Sequence, residues 1–300
     1  MLILSGGTGT PKLLQGLKEL LDNFTVLVNT GEDLWLNNLY VSPDVDTVLY
    51  TLSDLINEET WYGVRGDTFH THEQLKKLGV DEFLRIGDKD RALKIQKTLL
   101  LNRGYKLSEA IEIQRKALGV KYKVLPMTDD RVETKILANI DGRKELLKFH
   151  DFWIKRKGEV EVLDVIYENS LYAKPPEEFY KLSFDKVIIG PSNPITSIFP
   201  ILSIEDIKKE LMKKKVLAVS PFIGSSPISG PAGKLMKAKG YESSAVGVYQ
   251  CYKDFLDILV IDEKDKELAR EIGCEVYTTN ILMKSLEDKI RLAKEILELL

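Results

Sequence analysis

The chain opens on Met1-Leu2-Ile3-Leu4-Ser5-Gly6-Gly7-Thr8-Gly9-Thr10-Pro11-Lys12, and few folds accept such a beginning. The run carries no polar residue before Ser5, which suits a strand at the centre of a parallel sheet covered on both faces. Helical periodicity follows at once, with Leu13, Leu14, Leu17, Leu20 and Leu21 on one side. Pro11 is placed for the first helical turn, where a missing N–H costs nothing. Gly6, Gly7 and Gly9 let the backbone bend sharply and present bare N–H groups at the positive end of the helix, which is how a phosphate cradle is built. An ordinary tight strand-to-helix turn is the competing explanation. Lys12 stands where the dinucleotide fingerprint wants its last glycine, and the spacing is not that of a P-loop, so an NAD-linked oxidoreductase is disfavoured.

In an open α/β sheet the functional groups gather at the carboxyl ends of the strands. The second apolar run, Thr25–Asn29, therefore brings Asn29, Thr30 and Asp33 to the crevice that holds the glycine turn. Pro43 or Asp44 starts the next helix, whose buried stripe is Val48, Leu49, Leu52 and Leu55. Asp44 and Asp46 then lie at its N-terminus. Helix capping alone would explain one acidic residue there. Two, beside a phosphate-type turn, also fit magnesium or hydroxyl binding.

Residues 60–119 are predicted to be almost wholly helical: a Trp61-Tyr62-Gly63 corner, then His72–Leu78, Asp88–Asn102 and Ser108–Leu118. Helices in series without a strand interrupt βαβ alternation and point to an inserted lid. Within it, Arg85-Ile86-Gly87-Asp88-Lys89-Asp90-Arg91 reads equally as a solvated charge run or as a turn that sets Arg85, Asp88 and Arg91 over an anion. Tyr122–Pro126 returns to the sheet and ends in Asp129 and Asp130, again at the crevice. Val132–Asn139, Glu145–Phe149 and Val160–Val165 alternate with period two, and Asp141-Gly142 marks a hairpin turn between the first pair. His150 and Trp153 in this segment are expected to be structural. Two further buried strands, Lys186–Gly190 and Val216–Pro221, each end in a loop rich in small polar residues and proline. Ser229-Gly230-Pro231-Ala232-Gly233-Lys234-Leu235 imitates a P-loop with the wrong spacing. Ile258–Asp262 and Glu275–Tyr277 are later strands, and Leu286–Leu300 is a terminal amphipathic helix. The expected fold is α/β: a doubly wound, mostly parallel Rossmann-like sheet with a helical insertion and a small antiparallel β extension. Residues 1–300 are read as one domain, with insertions at 60–119 and 130–172.

Bulk properties narrow the function. A formal net charge of −3 leaves no basic footprint for nucleic acid. No apolar run reaches the length of a membrane span, and the N-terminus is a strand and not a signal peptide, so a cytoplasmic enzyme is expected. Cys251 and Cys274 are too far apart for metal-ligand spacing and read as reduced, partly buried thiols. The three histidines, His70, His72 and His150, form no recognisable metal cluster.

Seven segments together resemble one family. They are Gly6–Lys12, Asn29-Thr30 with Glu32-Asp33-Leu34-Trp35, Pro43–Tyr50, Gly87–Ala92, Leu125–Asp130, Gly190-Pro191-Ser192-Asn193-Pro194-Ile195-Thr196-Ser197 and Ser229–Met236. In this order and combination they closely resemble the 2-phospho-L-lactate transferase family of coenzyme F-420 biosynthesis. The resemblance implies transfer of a phospholactyl group from lactyl-2-diphospho-5'-guanosine to the ribityl hydroxyl of the deazaflavin Fo. GMP leaves, magnesium is the cofactor, and the enzyme is a homodimer. It also implies roles for residues. Gly6, Gly7, Thr8, Gly9, Thr10 and Lys12, with Asn29, would hold the diphosphate or guanosine side of the donor. Gly190, Pro191, Ser192, Asn193 and Ser197 would face them across the reversal of strand order. Asp44, Asp46, Asp129 and Asp130 are the candidates to bind metal (Asp44 and Asp46) and to orient the attacking hydroxyl, with Asp46 nearest that hydroxyl. Arg85, Asp88 and Arg91 would close over the deazaflavin. Related nucleotide-sugar-binding proteins share the opening turn and the Gly-Pro-Ser-Asn loop, so a non-catalytic nucleotide-sugar-binding regulator is the alternative.

Overall fold

In the computed structural model, which describes residues 1–228 and 230–300, seven strands form one all-parallel sheet. Ser229, in the second glycine-rich stretch, lies outside the described residues. The strands are β1 (Leu2–Ser5), β2 (Thr25–Val28), β3 (Lys123–Pro126), β4 (Lys186–Ile189), β5 (Lys215–Val219), β6 (Ile258–Asp262) and β7 (Glu275–Thr279). Their spatial order is β7-β6-β5-β4-β1-β2-β3. The chain thus winds outward from β1 in one direction, crosses back to β4, and winds outward in the other. The reversal falls between β1 and β4, whose register pairs Leu2 with Val187 and Leu4 with Ile189. That is the position at which doubly wound sheets bind ligands.

Burial explains why these short strands read as unbroken apolar runs. All four residues of β1 are buried. Leu2 and Leu4 enter one hydrophobic cluster and Ile3 the other, so each face of the sheet has its own core. Helices α1 (Gly9–Leu20), α2 (Pro43–Leu52) and the C-terminal helix Leu286–Leu299 cover the Ile3 face. The C-terminal helix lies so close to α1 that a Cβ on Gly16 would sit 2.1 Å from the Lys289 carbonyl oxygen.

Between β2 and β3 the chain forms α3 (His70–Lys77), α4 (Asp88–Asn102) and α5 (Leu107–Ala117). Helix α3 begins earlier than its periodicity suggests, because the Asp88 carboxylate accepts the N–H groups of His70 and Thr71 at 3.0 Å each. A cap supplied from a distant residue leaves no local trace in the sequence. After β3, the strand Glu133–Ile140 pairs on one side with Arg143–Lys148 and on the other with Glu161–Glu168, both antiparallel. Asp141 and Gly142 turn the first hairpin with φ of 50° and 82°, the conformation a two-residue turn requires. No helix among the described residues is long and apolar enough to cross a membrane.

Candidate active site

The floor of the site is two loops locked together where the strand order reverses. The Gly6–Gly9 turn follows β1, and the Gly190–Ser197 loop follows β4. A Cβ on Gly9 would lie 1.8 Å from the Pro191 carbonyl oxygen, and one on Gly6 would lie 2.6 Å from the Ser197 Cβ. Gly190 is equally constrained, since its Cβ would come within 2.2 Å of the Thr10 hydroxyl oxygen. Ser192 joins the loops through its hydroxyl, 2.6 Å from that of Thr10 and hydrogen-bonded to the Gly6 carbonyl. Glycine is therefore required here mainly for close approach. Gly7, at φ +57°, is the position that needs the left-handed region. Its N–H donates to Asp44 Oδ1 at 2.8 Å, so one amide of the turn is held by the protein itself.

Asp44 lies in the first turn of α2 and is buried, as is Asp46 two residues on. Their surroundings differ. Asp44 Oδ2 accepts from the Asn29 side-chain amide at 2.8 Å, and Asn29 is fixed in turn by the Thr196 carbonyl and the Gly31 N–H. Burial pushes the Asp44 carboxyl up to about 6, against the opposing pull of Asn29 and Gly7. Glu32 is pushed well above the usual carboxylate range, first by burial and then by the charge of Asp44. Asp46, by contrast, meets two ammonium groups: Lys97 at 2.5 Å from Oδ1 and Lys94 at 3.2 Å from Oδ2. Burial works against its ionisation, but Lys97 and Lys94 outweigh it and the carboxyl sits below its ordinary value.

These groups open on a cavity of about 600 Å³. Of the residues singled out from sequence, Gly7, Thr8, Gly9, Asp44, Asp46, Arg85, Ser192, Asn193 and Ser197 line it. Gly6, Thr10, Asn29, Gly190 and Pro191 form the interlocked layer behind that lining. Lys12 turns to the Trp61 ring, with its ammonium 5.1 Å from the ring centroid. Arg85 lies against Phe69, its guanidinium carbon 3.9 Å from that centroid. Asp90 of the same turn also lines the cavity, whereas Asp88 and Arg91 are placed elsewhere. Asp88 is half-buried and caps α3, while Arg91 grips Glu82 with two bonds of 3.0 and 2.6 Å. Asp129 and Asp130 line a neighbouring cavity of about 500 Å³. Asp129 caps α5 by accepting the N–H and hydroxyl of Ser108 at 2.7 and 2.9 Å, and Asp130 accepts the Lys174 N–H at 3.0 Å. The two cavities share Glu32, Phe83, Phe149 and His150 as a common wall. His150 is buried and neutral there, its imidazole pushed down to about 4 chiefly by that burial.

Several lining residues carry no individual role in the sequence reading: Glu32, Tyr50, Tyr62 and Asp90, which fall within motifs named there, and Lys94, which does not. Lys94 and Lys97, with Asp90, recur on α4 at helical spacing. Charged residues so arranged ordinarily mark a solvated face, and only burial against Asp46 shows otherwise. Among the described residues, no three His, Cys, Asp or Glu side chains are assembled to hold a metal unaided.

Comparison with known proteins places the chain in a family. The family model described as 2-phospho-L-lactate transferase CofD matches residues 1–289. A 2-phospho-L-lactate transferase of Methanocaldococcus jannaschii is 68% identical over 300 residues, covering 99% of this chain and 96% of that protein. Transferases of the same name from Methanococcus maripaludis and Methanopyrus kandleri are 58% and 52% identical, over 99% of this chain and 97% and 96% of theirs. Among solved structures, a UPF0052 family protein of Bacillus halodurans superposes with a TM-score of 0.68 at 18% identity, covering 99% of this chain and 97% of that one. That likeness concerns the fold alone.

Proposed function

The chain belongs to the 2-phospho-L-lactate transferase CofD family, and from that premise we propose that it moves 2-phospho-L-lactate from lactyl-2-diphospho-5'-guanosine to the ribityl hydroxyl of the deazaflavin Fo, releasing GMP and forming coenzyme F-420-0. The observation that carries the proposal is the convergence of the Gly7–Gly9 turn, Ser192-Asn193, Asp44 and Asp46 on one cavity at the reversal of strand order. In the reaction, the acceptor oxygen bonds to the lactyl-bearing phosphorus as the bond from that phosphorus to the oxygen of GMP breaks. The hydroxyl proton passes to a carboxylate and then to solvent. Such transfers need positioning and charge neutralisation more than covalent participation.

The carboxylates divide the work. Asp46, already balanced by two ammonium groups, accepts the hydrogen bond of the acceptor hydroxyl and orients it. Asp44 and Glu32 have no lysine or arginine bonded to them among the described residues, and the upward push on both carboxyls is what a bound cation would relieve. Hard oxygen donors of this kind suit magnesium, which typically takes one or two carboxylates and completes its shell with substrate phosphates and water. Asp44 with Glu32 would hold that ion beside Asp46, and when bound it neutralises phosphate oxygens. The interlocked turn and loop hold the diphosphate, and Arg85 borders the acceptor.

The test is GMP release from lactyl-2-diphospho-5'-guanosine in the presence of Fo, followed by mass spectrometry with and without magnesium. Asp46→Asn should keep its fold and lower kcat by about 100- to 1000-fold. Wild-type turnover in that variant would remove Asp46 from the mechanism. Tight binding of a UDP-sugar with no GMP release would instead support the nucleotide-sugar-binding regulator.

A further inference from the structure

A row of alternating charges runs along the wall of the cavity and into the core behind it. The Lys97 ammonium, fully buried, meets Asp46 Oδ1 at 2.5 Å. Lys94, 4% exposed, meets Asp46 Oδ2 at 3.2 Å and also bonds to Asp90, whose Oδ1 accepts the Tyr50 hydroxyl at 2.5 Å. The two lysines balance the two aspartates. Asp46, Tyr50, Asp90 and Lys94 line the cavity, whereas Lys97 does not.

Stability alone does not account for this row. Buried ion pairs can commonly be replaced by well-packed apolar side chains at no loss, while removal of one partner leaves a costly unpaired charge. What the row does supply is geometry. Each oxygen of Asp46 is gripped by a different ammonium, so the carboxylate on α2 is held against rotation by two side chains of α4. A reacting group needs that fixity, since small misplacements cost large factors in rate. Lys94 is itself shared with Asp90, which leaves Lys97 as the ammonium whose hydrogen bond goes to Asp46 and to no other carboxylate among the described residues, although the buried Asp33 also lies within reach of its charge.

We infer that Lys97 is a positioning residue of the transfer, which fixes the Asp46 carboxylate toward the acceptor hydroxyl without touching either reactant. This inference rests on the reading that Asp46 receives that hydroxyl.

The experiment is a kinetic cycle over Lys97→Met and Asp46→Asn, with GMP release as the readout and folding followed by circular dichroism and thermal melting. Lys97→Met should stay folded, keep the KM for the guanosine donor within about twofold and lower kcat by about 50-fold. Because Lys97 acts through Asp46, the double variant should be no more than about threefold slower than Asp46→Asn alone. A folded Lys97→Met with wild-type kcat overturns the inference, as does a double variant more than about tenfold slower than Asp46→Asn. Should Lys97→Met fail to fold, the double variant, which loses one charge of each sign, decides by the same comparison. Failure of both to fold shows that the row is scaffolding and sinks the inference. A wild-type protein that releases no GMP overturns the transferase reading and this inference together. An active wild type with an indifferent Lys97→Met overturns the inference alone.

Discussion

Asp44 and Asp46 are two residues apart on one helical turn, yet their surroundings give them opposite tendencies. Burial with only neutral hydrogen-bond donors raises one carboxyl to about 6, while two ammonium groups hold the other below its usual value. The same logic applies to His150 in the wall between the cavities, whose imidazole is pushed down to about 4 by burial. In the unfolded chain that ring titrates near its ordinary value of 6.5. Below that value the unfolded state binds the proton and the folded state does not, so stability is lost as the pH falls from 6.5 toward 4. Between pH 7 and pH 4.5 this group should contribute a loss of about 2 to 3 kcal/mol. Urea denaturation of His150→Phe at both pH values should show a pH-dependent drop smaller by that amount. An unchanged drop would mean that the ring is charged in the folded protein.

At the level of elements, the site depends on how closely two loops and two helices approach. Gly9→Ala would drive a methyl group into the Pro191 carbonyl, 1.8 Å from the new Cβ, with backbone and not a flexible side chain in the way. Overpacking of this kind costs about 1 to 3 kcal/mol, and here it also forces the turn away from the Gly190–Ser197 loop. The expected result is a lower urea midpoint and at least tenfold weaker GDP binding by calorimetry, taking tenfold as about 1.4 kcal/mol. Unchanged GDP affinity would show that the interlock is not part of the nucleotide site. The Trp61 corner is a second such contact. Its ring lies between Lys12 and Lys289, 5.1 and 4.7 Å from the centroid, and Lys289 also bonds to Gln15 and Glu58. A wall of the cavity is thus tied to α1 and to the C-terminal helix.

For the molecule as a whole, that terminal helix is part of the core. Leu292, Ala293 and Ile296 are fully buried against the Ile3 face of the sheet. Burial of the two larger side chains alone is worth about 3 to 6 kcal/mol, comparable with the ~5–15 kcal/mol by which domains are stable. Deleting residues 286–300 should therefore abolish soluble expression or lower Tm by more than about 10 °C, as a melting curve would show. An intact Tm would mean that the helix is an appendage. The sequence by itself determined the seven strands of the parallel sheet, the reversal of winding, the Asp141-Gly142 hairpin and the family, because each rests on local periodicity, on turn chemistry or on motifs read in order, whereas the short antiparallel pair Leu34–Leu36 and Leu39–Val41 left no such pattern. Only the tertiary structure decided which polar residues share a cavity. Thr30, Asp33, Asp129 and Asp130 all follow strand ends, yet they line the neighbouring cavity and not the one that holds the glycine turn, with Asp129 capping α5 and Asp130 fixing Lys174, and Asp88 and Arg91 are engaged with α3 and Glu82. Lys94 and Lys97 look like solvated charges until the fold brings them to the buried Asp46. The physical reason is that a side chain's role depends on the charges and the solvent around it, and those are contributed by segments far away in the chain.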